Sequence, residues 1–122
     1  MTNANGRVVA VLDDLMFLVK IQEAAKRAGM EATFVKSQSE ALNQAKLVPA
    51  LMILDLNYKA AEPLDLITRL KSEEETKNVR LLGYVSHVQI GLRQEAEKRG
   101  CDQIVARSVF VENLPKLLDP KE

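Results

Sequence analysis

The stretch LMILDLN, residues 51–57, places four apolar residues directly before Asp55, and it decides the fold class of this chain. A short run of consecutive apolar residues is typical of a strand that is buried on both faces of a parallel sheet. A carboxylate at the end of such a strand is costly to bury unless another group pairs with it. The stretch therefore predicts a central strand with a functional acid, Asp55, at its carboxyl end.

A second apolar stretch, residues 8–12, ends in the adjacent acids Asp13 and Asp14. The carboxyl ends of parallel strands meet at one edge of a sheet, so these two strands would bring three carboxylates together. Clustered carboxylates repel one another and raise one another's pKa unless a cation lies among them. We therefore expect a hard divalent cation, with Mg²⁺ the first candidate, at Asp13, Asp14 and Asp55.

The composition is that of one globular domain. The chain has 122 residues, of which 47% are hydrophobic and 28% are charged, enough for a single packed core. Its 17 basic and 17 acidic side chains balance, which gives no electrostatic reason to expect nucleic acid or a membrane surface as partner. The single Cys101 excludes an internal disulfide, and no apolar run approaches the roughly 20 residues of a membrane span. We expect a cytoplasmic protein.

Short apolar runs alternate with amphipathic stretches along the chain, which is the pattern of repeated strand–helix units. The pattern predicts strands at 7–12, 31–35, 51–54, 81–85 and 103–106. It predicts helices at about 15–28, 38–47, 64–72, 90–99 and 109–118. Right-handed crossovers then give a doubly wound α/β fold with the first and third strands in the centre of the sheet and the second at an edge.

Two further polar side chains follow predicted strands and belong to the same sheet edge. Ser86 comes after the fourth strand and Arg107 after the fifth. Together with the three acids they form a plausible set for phosphoryl transfer, which needs mainly positioning and charge neutralisation. In that set Asp55 is the nucleophile that forms an aspartyl phosphate, while Ser86 and Arg107 bind phosphoryl oxygens.

The order and spacing of these residues resemble the receiver domain of two-component response regulators over about residues 7–118. The acidic pair of that family fits Asp13-Asp14, its phosphoacceptor fits Asp55, and its hydroxyl after the fourth strand fits Ser86. Asn57 stands where a backbone carbonyl of the family supplies a metal ligand. The stretch GCDQIVARS, residues 100–108, resembles the family pattern G-A-D-x-[YF]-[LIV]-x-K-P.

The resemblance implies a single receiver domain, residues 1–122, with a flavodoxin-like sheet of five parallel strands in the order 2-1-3-4-5. It implies a stand-alone response regulator that takes a phosphoryl group at Asp55 from a sensor histidine kinase or a phosphotransfer protein, with Mg²⁺ as cofactor. Such a protein is a signalling switch and not a turnover enzyme. Its output would pass to another protein through the face formed by the fourth helix, fifth strand and fifth helix.

Four of the departures from the family pattern bear on the function. Arg107 replaces a Lys, and Ser108 replaces a Pro that follows a cis peptide bond, so a trans bond is expected here. His87 replaces a small residue beside the phosphoryl site, and Ile104 replaces the aromatic residue that changes rotamer on activation. These departures favour an alternative function, a pseudo-receiver that binds a partner protein without regulation by phosphate.

Simpler structural roles exist for the same side chains. An Asp directly before a helix commonly caps it, so either Asp13 or Asp14 could be a helix cap. Arg107 could pair with one of the acids as a structural salt bridge in place of a metal ion. A third functional class, an enzyme or flavin binder, is disfavoured because the chain has no Gly-rich phosphate loop.

Overall fold

A five-stranded parallel sheet forms the centre of the molecule, with its strands in the order β2-β1-β3-β4-β5. The computed structural model describes residues 6–86 and 89–118. The order and the central positions of the first and third strands confirm the predicted fold. The strands are β1 (Arg7–Val11), β2 (Glu31–Val35), β3 (Leu51–Asp55), β4 (Leu81–Val85) and β5 (Gln103–Ala106).

Helices follow the strands on both sides of the sheet. They are α1 (Leu15–Arg27), α2 (Gln38–Ala45), α3 (Pro63–Ser72), α4 (Ile90–Arg99), α5 (Arg107–Glu112) and α6 (Leu114–Leu117), and a short 3-10 turn spans Lys59–Ala61. In the described part of the chain, no helix is both long enough and apolar enough to cross a membrane.

The last helix differs from the prediction of one helix over 109–118. Helix α5 begins two residues earlier than predicted, and the helical stretch is divided at Asn113. Pro115 has no backbone N–H to donate to the carbonyl of Val111, so a continuous helix would lose a hydrogen bond there.

Helix ends carry the side chains that their sequence predicts. Asp14 is the N-cap of α1, and its carboxylate accepts the backbone N–H groups of Met16 and Phe17. Ser37 caps α2 and accepts the N–H of Glu40. Each cap satisfies backbone donors that have no partner within the helix.

Alternate residues of the strands belong to two separate hydrophobic clusters, one on each face of the sheet. The aromatic face is the side covered by α1, α5 and α6, and it contains Phe17, Tyr84 and Phe110. The aliphatic face is the side covered by α2, α3 and α4, and its buried strand residues include Leu54 and Ile104. The carboxyl ends of the strands form one edge, the carboxyl edge, above both clusters.

Candidate functional site

Asp55 is the last residue of β3 and is half-buried at the carboxyl edge. Side chains alternate along a strand, so Asp55 leaves the sheet on the same side as Ile53, which lies on the aromatic face. Its Oδ1 atom accepts a hydrogen bond from the backbone N–H of Asn57 at 2.9 Å. Burial raises the pKa of the Asp55 carboxyl; the Asn57 N–H and the charge of Arg107 act in the opposite direction without cancelling this effect.

Asp14 and Arg107 form an ion pair between the end of β1 and the start of α5. Asp14 Oδ1 accepts N–H groups of α1 from Met16 at 3.0 Å and from Phe17 at 3.2 Å, while Oδ2 pairs with the Arg107 guanidinium. The guanidinium also lies 4.4 Å from the centroid of the Phe17 ring, a cation–π contact. Both simpler roles, the helix cap and the salt bridge, are therefore confirmed at Asp14.

Asp13, although adjacent in sequence, has a different environment. Its Oδ1 atom lies 3.2 Å from Nζ of Lys36 at the end of β2, and the two side chains are 56% and 69% exposed. Pairs as exposed as this contribute little to stability. The sequence analysis missed Lys36, because its contact depends on the pairing of β1 with β2 and not on any local pattern.

The side chain of Asn57 connects the loop after β3 to the loop after β4. Its Oδ1 accepts the backbone N–H of Ser86 at 2.7 Å, and its Nδ2 donates to Oε1 of Gln89 at 2.7 Å. The role of the Asn57 backbone carbonyl as a metal ligand stays a prediction; the side chain in addition positions Ser86 relative to Asp55. His87, predicted to crowd the site, lies outside the described residues.

The three carboxylates share the carboxyl edge, and each has its own contacts there. Within the described residues, no three acidic, His or Cys side chains lie together as a group able to hold a metal ion. Asp14 accepts two N–H groups on one oxygen and a guanidinium on the other, so a divalent ion would have to compete with Arg107 for it. Mg²⁺ at Asp13, Asp14 and Asp55 stays a prediction: the exposed Asp13 and the second oxygen of Asp55 fit a hard cation, and at Asp14 the ion would have to replace the Arg107 guanidinium.

Tyr84 is a site residue that the sequence analysis missed. Only 1% of its surface is exposed, and within residues 6–86 and 89–118 its hydroxyl has no hydrogen-bond partner. Burial raises the pKa of this hydroxyl, and the negative charge of Asp55 raises it further. The available signal was a phenol in the otherwise apolar strand sequence LLGYV, since a buried tyrosine usually needs a partner for its hydroxyl.

Solved structures with the same fold include response regulators. The chain is similar to a response regulator from Hahella chejuensis, with a TM-score of 0.83 and 17% identity over 93% of this chain and 92% of that one. It is similar to the chemotaxis response regulator CheY4 of Vibrio cholerae, with a TM-score of 0.80 and 20% identity over 93% and 96% of the two chains.

A third similar structure is the receiver domain of a sensor histidine kinase from Pseudomonas aeruginosa, which has a magnesium ion in its active-site cleft. Its TM-score is 0.80, with 15% identity over 93% of this chain and 94% of that domain. No protein-family model matches the sequence, and no curated protein does either. At these identities the likeness establishes that the chain has the receiver fold.

Proposed function

We propose that this chain is a receiver-type signalling protein that accepts a phosphoryl group on Asp55 and acts through contact with another protein. The observation that carries the proposal is the state of the Asp55 carboxylate, half-buried at the end of a central strand. One oxygen is fixed by the Asn57 N–H, and the hydrogen bonds of the described residues leave the other available for bonding. A carboxylate held through one oxygen keeps its other oxygen as the attacking atom.

In the proposed reaction, an ionised oxygen of Asp55 attacks the phosphorus of a phosphohistidine on a histidine kinase or phosphotransfer protein. The new O–P bond replaces the N–P bond, whose electron pair returns to the imidazole nitrogen; with its other ring nitrogen protonated, the donor histidine leaves as a neutral imidazole, and the carboxylate releases no proton. Arg107 lies close enough for its charge to act on Asp55. Its guanidinium would therefore offset the negative charge of the transferred phosphoryl group. The Asn57 side chain accepts the backbone N–H of Ser86 and so holds the loop after β4 beside Asp55.

Intact-mass measurement with a small phosphoryl donor tests this function. We expect an increase of about 80 Da on the wild type, lost in alkali as an acyl phosphate is, and absent in Asp55→Asn. Asp13→Asn is the matched control, because it removes an exposed carboxylate from the same edge without touching Asp55. Parallel samples with and without Mg²⁺ test whether the reaction proceeds without the metal. An unmodified wild type, beside a control receiver that is labelled, would contradict the proposal.

One observation favours a second function, the pseudo-receiver. Asp14 and Asp13 each pair with a cation of the protein itself, Arg107 and Lys36 respectively. The Asp14–Arg107 pair satisfies that acid without metal or phosphate, whereas the exposed Asp13–Lys36 pair contributes little. If the wild type resists labelling yet binds its partner protein as tightly as Asp55→Asn does, this second function replaces the first.

A further inference from the structure

Tyr84 and Asp55 are neighbours in the sheet. They are directly paired in the register of β3 with β4, and residues in register on parallel strands project to the same side. The residues two positions earlier, Ile53 and Leu82, are also paired and both lie on the aromatic face. The phenol ring therefore stands beside the carboxylate, on the side of the sheet that α1 and α5 cover.

The Tyr84 hydroxyl needs an acceptor in this position. It is fully buried, and no described residue lies within normal hydrogen-bond geometry of it, although the Asp55 carboxyl is close enough to affect the pKa of the phenol as a hydrogen-bonding group. Buried polar groups without a partner are rare in native proteins, because each one loses its hydrogen bonds to water on folding. The neighbouring carboxylate is an acceptor, and burial together with the charge of that carboxylate raises the pKa of the phenol, so the hydroxyl remains a donor.

The Tyr84 ring contacts both helices of the aromatic face. Its centroid lies 4.7 Å from that of Phe110 on α5 and 5.2 Å from that of Phe17 on α1, and the two Phe rings are 5.8 Å apart. Arg107 lies over the ring of Phe17. Protein interiors are close-packed, so a displacement of the Tyr84 ring would displace the rings on both helices.

We propose that Tyr84 is a positioning residue for Asp55, donating its hydroxyl to the carboxyl group and transmitting changes at Asp55 through its ring to α1 and α5. The inference deepens the proposed function, on which it rests for the event that modifies Asp55. It assigns the response to the aromatic face, which includes α5. It does not assign the response to α4 and β5, the other two elements of the predicted output face. On that face Ile104, a branched aliphatic residue, is stiff at its first torsion angle.

A double-mutant cycle tests the contact without any phosphoryl donor. Tyr84→Phe removes only the hydroxyl, and Asp55→Ala removes the acceptor. With Asp55 present, we expect Tyr84→Phe to lower the folding equilibrium constant about tenfold, as loss of a hydrogen bond to a charged group does. With Ala at position 55, the same change should have no effect or should stabilise. An equal effect of Tyr84→Phe in both backgrounds would overturn the proposal.

Backbone amide chemical shifts test the transmission. Asp55→Asn should shift the amides of α1 and α5 more than those of α4 and β5, and these shifts should shrink by more than half in the Tyr84→Phe background. Asp13→Asn is the matched control for a change of charge at the same edge. Equal shifts with and without the hydroxyl would contradict the relay. The test changes Asp55 by substitution and needs no phosphorylation. Its outcome is therefore independent of whether the proposed function is correct.

Discussion

The two faces of the sheet differ most at the level of Asp55. On the aromatic face, Tyr84 lies beside Asp55 in register, its ring packs against those of Phe17 and Phe110, and the Arg107 guanidinium lies over Phe17. On the aliphatic face at the same level, Leu56 lies over Gly83, and Ile104 pairs with Gly83 in the register of β4 with β5. Groups that interact with a change of charge at Asp55 are thus concentrated on one face.

The packing around Gly83 is apolar. A Cβ atom at this position would lie 3.0 Å from Cδ1 of Leu56, so an alanine here would require the Leu56 side chain to shift by a few tenths of an ångström. The space beside β4 is therefore filled by an apolar side chain that makes no polar contact with Asp55. The aromatic face, in contrast, has the Tyr84 hydroxyl in register with Asp55.

The largest expected effect compares one buried side chain from each face. Phe110→Ala should cost about 3–5 kcal/mol and Leu54→Ala about 2–5 kcal/mol of unfolding free energy, because both side chains are fully buried. Only Phe110→Ala should also change the near-ultraviolet circular dichroism of Tyr84, recorded in a Tyr58→Phe background that leaves one tyrosine. If Leu54→Ala alters that signal equally, the two faces are not separate.

The next effect separates the two adjacent acids. Asp14→Ala removes the cap of α1 and the partner of Arg107, so it should destabilise the fold by about 1–2 kcal/mol. Asp13→Ala breaks only an exposed pair with Lys36 and should cost less than about 1 kcal/mol. Urea denaturation of both variants measures the difference. If repulsion among clustered carboxylates dominates, Asp14→Ala should instead raise the free energy of unfolding. That result would support the predicted metal site.

The fold was predictable because its signals are local and agree with one another. Continuous apolar runs indicated central strands, and an Asp directly before the first predicted helix indicated its cap. The division of the last helix was missed because the apolar pattern of 109–118 continues through Pro115, while the missing N–H interrupts only the hydrogen bonding.

The site was only partly predictable because its contacts join distant segments. The sequence places Asp14, Asp55 and Arg107 at one edge, but it does not state which acid the guanidinium contacts. That choice follows from the position of α5 against α1, where the ring of Phe17 supports the guanidinium. The role of Tyr84 likewise depends on its register with Asp55, which no pattern within β4 specifies.

The smallest predicted effect concerns the charge of Asp55 on the aromatic face. Because burial raises the pKa of this carboxyl in the folded protein, the folded state holds its proton more tightly than the unfolded chain. Ionisation therefore lowers stability as pH rises from about 4, the ordinary pKa of Asp, through the higher folded value. Asp55→Asn cannot ionise, so it should be more stable than the wild type at neutral pH, by less than about 1 kcal/mol since the site is partly exposed. The gain should disappear below about pH 4, where the wild-type carboxyl is protonated in both states.

Urea denaturation across this pH range measures the gain in stability. Leu54→Ala is an uncharged control whose effect should not follow the same pH profile. A gain from Asp55→Asn that grew on acidification would mean that the carboxylate is stabilised by its neighbours, and Arg107 would then outweigh burial at this site.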